Sequence, residues 1–173
     1  MSAQALPQMV DPARLAGAGA RLEGQMPLDR CARLRAEFGP QTGAAAVALE
    51  FGTDEDGVRF VRGEVRAILR LTCCRCLQPM ELPVDCRFAL GLAASDAESK
   101  TLPECYDPMV VGAEPLSVTG LVEDELLLAL PFAPLHAQAE CSAPAPRGGT
   151  RIAPGPFEKL AALRERRPAG DEN

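Results

Sequence analysis

The fold is decided by residues 61–73, which read VRGEVRAILRLTC. Apolar or small residues occupy the odd positions from Val61 to Cys73, and polar residues occupy the even positions except Ile68. Side chains of a β-strand point alternately to opposite faces of the sheet. This period of two therefore predicts one long strand with a buried side and a solvent-facing side.

The sequence on both sides of this strand repeats the alternation. Residues 47–51 alternate before a polar turn at 53–57, apolar residues recur at even positions over 80–92, and residues 109–111 are a candidate for a short further strand. Consecutive strands with short connections form an antiparallel meander. We therefore predict an α+β fold, in which an antiparallel β-meander or partly closed barrel carries short flanking helices.

Helix and linker signals surround the predicted sheet. Asp11-Pro12 predicts the start of a short helix, Asp29 the N-cap of a second that ends at Gly39-Pro40, and Ser117 the start of a third that Pro131 ends. Residues 142–155 are rich in Pro, Gly and Ala. We expect an N-terminal tether (1–20), a single α+β domain (21–141), a flexible linker (142–155), and a C-terminal helix and tail (156–173).

Composition restricts the class of function and the compartment. The 173 residues carry a net charge of −6, which argues against binding nucleic acid with the whole surface. The longest apolar run, Leu126–Leu135, is too short for a membrane span, and residues 1–11 lack the features of a signal peptide. We therefore expect a cytoplasmic protein with no membrane partner. In that compartment its seven cysteines would be thiols or metal ligands.

Four residues could bind a metal ion. Cys73 and Cys76 form a CxxC at the end of the long strand, and His136 and Cys141 follow a proline-rich bend sixty residues later. Three thiolates and one imidazole suit Zn²⁺, so we predict that these four side chains lie close together. Alternatively, the cysteines fill the core or form a redox pair. Thioredoxin-type redox motifs begin a helix, however, whereas this CxxC is predicted to link two strands.

Two charged groups could contact a partner. Arg62, Arg66 and Arg70 share the solvent side of the long strand, with Arg75 beyond them, and such a row could contact RNA phosphates. The alternative is a solvated face that Glu64 neutralises. The predicted helix at 117–129 carries a second group, formed by Glu123, Asp124 and Glu125. Consecutive helix positions diverge by about 100°, so these carboxylates suit a basic partner or solvent better than one metal ion.

The motifs together resemble those of a known family. The string Leu71–Leu77 is similar to its central CxRCL signature, and Leu121–Pro131 followed by Pro134, His136 and Cys141 is similar to its second signature. Residues 102–108 and the Pro156-Phe157 motif, where Gly155 replaces the usual Asn, add to the resemblance, which covers residues 20–165. This is the bacterial YceD family, the large ribosomal RNA subunit accumulation proteins.

The resemblance implies a role in synthesis, processing or stability of 23S rRNA, and no catalytic residues. The residues agree, because the chain has no P-loop, GxGxxG or HExxH motif and only one His. We therefore expect a non-enzymatic factor of large-subunit biogenesis, with no evident small-molecule substrate, that binds 23S rRNA or a large-subunit ribosomal protein. The alternative is a small zinc-dependent or thiol-redox protein that uses the CxxC.

Overall fold

A computed structural model describes residues 5–112, 114–137 and 141. The predicted linker (142–155) and C-terminal helix and tail (156–173) lie outside these residues. The strands are β1 (Met9–Val10), β2 (Arg21–Pro27), β3 (Ala44–Thr53), β4 (Arg59–Thr72), β5 (Pro79–Ala93), β6 (Asp107–Val110) and β7 (Leu116–Ser117). The helices are α1 (Pro12–Ala18), α2 (Ala32–Phe38), α3 (Asp96–Ser99) and α4 (Val118–Leu128), with a 3₁₀ turn at Leu28–Arg30.

A five-stranded sheet in the order β2-β3-β4-β5-β6 organises the domain. The first four strands form an antiparallel meander, and β6 adds to β5 in parallel. Within the described residues the sheet does not close on itself, because β2 and β6 are its two edges. The predicted α+β class and the antiparallel meander are confirmed, and the partly closed barrel does not form.

Residues 5–20, which the sequence assigns to a tether, form β1 and α1. Asp11 caps α1 by accepting a hydrogen bond from the backbone N–H of Arg14, as its position before Pro12 predicts. The helix continues past Leu15 to Ala18, and Gly19 ends it in the left-handed conformation at φ 59°. Ala16 is buried in the hydrophobic core. This helix therefore packs on the sheet.

One face of the sheet forms the core. Odd positions of β4 such as Val61, Val65 and Leu69 are fully buried, and the helices add Leu34 from α2 and Leu126 from α4 to the same cluster. The opposite face is exposed except at one end, where Tyr106 stacks on Phe60 and both side chains are buried. None of the described helices is long and apolar enough to cross a membrane.

Substitution of Leu69 tests which face of β4 is buried. Leu69 has 0% of its surface exposed, so Leu69→Asp places an unpaired carboxylate in the core. We expect a loss of several kcal/mol in the free energy of unfolding, measured by urea denaturation. Arg70→Asp, one position on and solvent-facing, is expected to cost less than about 1 kcal/mol. Equal effects of the two variants would contradict the assignment of faces.

A second prediction concerns the contact of Gly63 with Phe88. These residues oppose each other in β4 and β5, and a Cβ added to Gly63 would lie 2.1 Å from the Phe88 ring. Because the buried Phe88 ring or the backbone must move to admit this atom, Gly63→Ala should destabilise the protein by about 1–3 kcal/mol. Gly17→Ala is the control. It lies in α1 with nothing within 4 Å of the added atom and should stabilise by up to about 1 kcal/mol.

Candidate metal centre

The turn between β4 and β5 positions the two cysteines of the CxxC. The backbone N–H of Leu77 donates to the carbonyl of Cys73 at 2.9 Å, and the N–H of Cys73 donates to the carbonyl of Gln78 at 2.9 Å. Leu77 has φ 60°, and it is the only residue other than glycine with positive φ in the described part of the chain. A branched side chain in this conformation is strained. The turn therefore keeps a costly backbone geometry immediately after Cys76.

A second segment, residues 131–137 and 141, brings the other two residues to this turn. The N–H of Cys74 donates to the carbonyl of Pro134 at 2.9 Å, and the N–H of His136 points to the Sγ of Cys73 at 3.5 Å. Pro134 is buried, which anchors the segment beside the β4–β5 turn.

The four predicted metal ligands lie together. One ligand atom from each of Cys73, Cys76, His136 and Cys141 can be chosen so that all four lie within 4.8 Å of one another. The Sγ of Cys76 is 3.3 Å from Nδ1 of His136, and Nε2 of the same ring is 3.2 Å from the carbonyl of Pro79. Cys73 is buried and the other three are half-buried. The sequence spacing thus predicted a cluster that the tertiary structure assembles.

Arg75 adds a positive charge to the cluster. Its Nε donates to the Sγ of Cys141 at 2.9 Å, and its Nη2 donates to the carbonyl of His136 at 3.3 Å. The predicted partner contact Arg75 therefore lies apart from the other three arginines and faces the thiols.

Hydrogen bonds favour the ionised form of Cys73. Burial raises the pKa of Cys73, but backbone N–H groups of His136, Cys76 and Arg75 outweigh it and lower the pKa to about 5. Hydrogen bonding to Cys73 raises the pKa of His136. Cys31 shows the opposite case, because burial and the nearby Glu123 carboxylate raise its pKa to about 11. Cys31 is thus a core thiol, whereas the hydrogen bonds around Cys73 favour its ionised sulfur, the form that binds soft metal ions.

The row of Arg62, Arg66 and Arg70 is exposed, but each of these side chains already contacts other residues of the protein. Arg66 bonds to Asp85 at 3.0 Å and also pairs with Glu64, and Arg70 lies 3.8 Å from Glu81. The guanidinium of Arg62 lies over the ring of Phe60 at 4.3 Å and donates to the hydroxyl of Tyr106 at 3.1 Å.

The whole outer face of the sheet is electrically balanced. Outward positions of β2 to β5 carry five arginines and five carboxylates, which are Arg21, Arg62, Arg66, Arg70, Arg87, Glu23, Glu50, Glu64, Glu81 and Asp85. A face with no excess of positive charge attracts phosphate weakly. The sequence pattern predicted that the arginines of β4 share one face. It did not predict the carboxylates beside them, which come mostly from the neighbouring strands.

The three adjacent acidic residues of α4 have different surroundings. Glu123 is buried and accepts hydrogen bonds from the backbone N–H groups of Arg33 at 2.7 Å and Leu34 at 3.0 Å. The Arg33 side chain bridges Glu123 and Asp124. Glu125 forms no ion pair within the described part of the chain, and burial together with Asp107 and Asp124 raises its pKa. Glu123 and Asp124 therefore share one guanidinium, whereas Glu125 stands apart, so the three carboxylates do not meet at a single point.

Glu123 has a structural role that sequence reasoning missed. Asp29 was expected to cap α2, but it lies in the preceding 3₁₀ turn, and the N-cap residue Cys31 makes no side-chain capping bond. The Glu123 carboxylate from α4 caps the first turn of α2 instead. The sequence near α2 does not indicate a capping residue that lies 89 positions away. An acidic residue within the apolar face of a helix does indicate a buried partner.

Comparison with known proteins identifies the family. The family model of the large ribosomal RNA subunit accumulation protein YceD matches residues 61–164, more than half of the chain. The chain belongs to the YceD family. The large ribosomal RNA subunit accumulation protein YceD of Haemophilus influenzae is 29% identical over 169 residues, covering 93% of this chain and 97% of that protein. No solved structure shows a significant match.

The YceD match and the metal cluster cover the same part of the chain. The matched range contains all four predicted ligands, together with Arg75 and the acidic residues of α4. It excludes β2, β3, α1 and α2. The segment shared with the family model therefore includes the CxxC turn and the segment that packs on it.

The capping contact of Glu123 gives a stability prediction. Glu123→Ala leaves the N–H groups of Arg33 and Leu34 without their acceptor, so we expect a loss of about 2–3 kcal/mol. Asp124→Ala, which removes only an exposed partner of Arg33, is the matched control and should cost less than about 1 kcal/mol. Chemical denaturation of both variants measures the difference. Equal stability of the two variants would show that the cap contributes nothing.

Proposed function

We propose that this protein supports accumulation of 23S rRNA as a non-enzymatic cytoplasmic factor that binds a basic large-subunit ribosomal protein. Membership of the YceD family, over more than half of the chain, carries the biological role. The distribution of charge in the described structure supports the class of partner.

Negative charge is concentrated on one part of the domain. Residues 88–137 contain eight carboxylates and a single lysine, Lys100. Glu123 and Asp124 are paired with Arg33, but Glu104, Asp107 and Glu114 are exposed and form no ion pair in the described part of the chain. Mutual repulsion of Asp107 and Glu125 contributes to the raised pKa of Glu125. A cationic partner would relieve this repulsion, and opposite charges would accelerate its association.

Exposed apolar side chains follow this acidic surface along the chain. Leu128, Phe132 and Leu135 are largely solvent-exposed and lie within ten residues of Glu125 in sequence. Apolar side chains beside charged ones are typical of protein interfaces. Direct RNA binding has weaker support, because the arginines of the sheet are balanced by an equal number of carboxylates.

Capture experiments with the full chain test the partner class. Glu104→Lys with Asp107→Lys reverses charge on the acidic surface, and Glu23→Lys with Glu37→Lys makes the same change in net charge elsewhere. We expect the first pair to reduce binding to purified basic large-subunit ribosomal proteins by about tenfold or more, since 1.4 kcal/mol corresponds to tenfold. The second pair should bind normally. Equal binding by the two pairs would overturn the assignment of the acidic surface.

RNA binding is the competing outcome of the same experiment. If protein-free 23S rRNA binds and replacement of Arg62, Arg66 and Arg70 by Ser abolishes binding, the rRNA is the partner instead. Three phosphate contacts would give a log–log salt dependence of about −2, at roughly −0.7 per contact on single strands. The biological role has its own measurement. A depletion strain should show a lower ratio of 23S to 16S rRNA, and an unchanged ratio would contradict the role itself.

A further inference from the structure

We propose that Cys73, Cys76, His136 and Cys141 bind one structural Zn²⁺ that fastens residues 131–137 and Cys141 to the β4–β5 turn. The inference stands on the geometry of these residues and does not require the proposed partner.

The number and type of donors match a closed zinc site. Three sulfurs and one imidazole nitrogen fill a tetrahedron and leave no position for substrate or water, which is typical of structural zinc. In a tetrahedral site with bonds of about 2.3 Å, donor atoms are about 3.8 Å apart. The four donors here already lie within 4.8 Å of one another, and Cys76 and His136 lie 3.3 Å apart. Small side-chain rotations therefore suffice to close the site.

A hydrogen bond orients the His136 ring so that Nδ1 can bind the metal. The carbonyl of Pro79 can only accept a hydrogen bond, so the neutral His136 ring carries its hydrogen on Nε2, which lies 3.2 Å away. The lone pair is then on Nδ1, the atom that faces Cys76. A backbone carbonyl that fixes the tautomer of a ligating histidine is a common outer contact of zinc sites.

Arg75 balances the charge of the proposed site. Three thiolates and one Zn²⁺ leave a net charge of −1, and Arg75 places a guanidinium 2.9 Å from Cys141. The backbone N–H of His136, which points to the Sγ of Cys73 at 3.5 Å, adds a second donor to the sulfurs of the site. We therefore assign Arg75 as a residue that positions Cys141 and neutralises the centre, without touching the metal.

The donor set selects the metal. Thiolate and imidazole ligands in a tetrahedral arrangement favour Zn²⁺, whereas Mg²⁺ and Ca²⁺ require oxygen ligands, of which this cluster has none among its four members. Cys74 lies within the same turn, but it is exposed and takes no part in the cluster. It is therefore a matched control for removal of a thiol.

The ion would stabilise a segment that has no regular structure. Residues 131–137 and 141 form neither helix nor strand, and the bonds from Cys74 to Pro134 and from His136 to Cys73 connect them to the turn. Exposed Leu77 belongs to the turn, and exposed Phe132 and Leu135 belong to the segment that packs on it. Zinc would hold these apolar side chains in place on the surface.

Metal content of the full chain tests the proposal. Protein purified anaerobically with a thiol reductant and then reconstituted with zinc should retain one Zn²⁺ per chain after desalting, measured by plasma mass spectrometry. We expect His136→Ala and Cys141→Ser to lose stoichiometric zinc and Cys74→Ser to keep it. Retention by both ligand variants, or failure of the parent protein to retain zinc, would overturn the proposal.

Two further measurements separate metal binding from general misfolding. Loaded with cobalt, the parent protein and Cys74→Ser should both show the charge-transfer and ligand-field bands of tetrahedral cobalt with thiolate ligands. Cys141→Ser should lose these bands, while its far-ultraviolet circular dichroism stays native. Arg75→Met should weaken zinc affinity by about 10- to 100-fold in competition with a chromophoric chelator. Unchanged affinity would remove Arg75 from the site, and octahedral cobalt bands would exclude the proposed ligand set.

Discussion

Pairing between β4 and β5 is the interaction on which the rest of the structure depends. Thirteen residue pairs join the two strands, from Phe60 opposite Gly91 to Thr72 opposite Pro79. A change of register by one residue would turn every apolar side chain of β4 towards solvent, so the buried face fixes the alignment strongly. The same alignment places Cys73 and Cys76 in the turn at the end of the paired strands β4 and β5. Core formation and the geometry of the metal cluster thus share one cause.

Charge is distributed unevenly over the two faces of this scaffold. Arginines and carboxylates alternate across the outer face and neutralise each other, which also protects a wide exposed sheet from pairing with other chains. Among the described residues, carboxylates of α3, β6 and α4 form no ion pair except where Arg33 reaches Glu123 and Asp124. This distribution of charge supports the cationic protein partner that we propose, in a family that is described by the accumulation of ribosomal RNA.

The buried carboxylate of Glu123 shows that a residue with a structural role can look like part of a binding site in the sequence. Three consecutive acidic residues suggest a single binding feature, but one of them caps a neighbouring helix. Only Asp124 and Glu125 remain available on the surface of α4, and Asp124 is shared with Arg33. The binding surface that we propose is therefore centred on Glu104, Asp107 and Glu114.

Local patterns were sufficient for the main strands and for the chemical nature of the cluster. The period of two predicted β3, β4 and β5 to within a few residues, because alternation is a local property of any strand with one buried face. Residues 109–111 were a candidate for the strand that forms as β6 at Asp107–Val110. Spacing and residue type also selected Cys73, Cys76, His136 and Cys141, since few other residue types supply soft metal ligands.

Tertiary structure alone decided which charges meet and where the short elements pack. The cap of α2 joins residues 89 positions apart, and the carboxylates that pair with Arg66 and Arg70 include Asp85 and Glu81 from the next strand. β2 has only weak alternation, and it becomes a strand because β3 offers it a free edge. Hydrogen bonds and ion pairs depend on distances in space, and a linear pattern records only the direction in which each side chain leaves its own element.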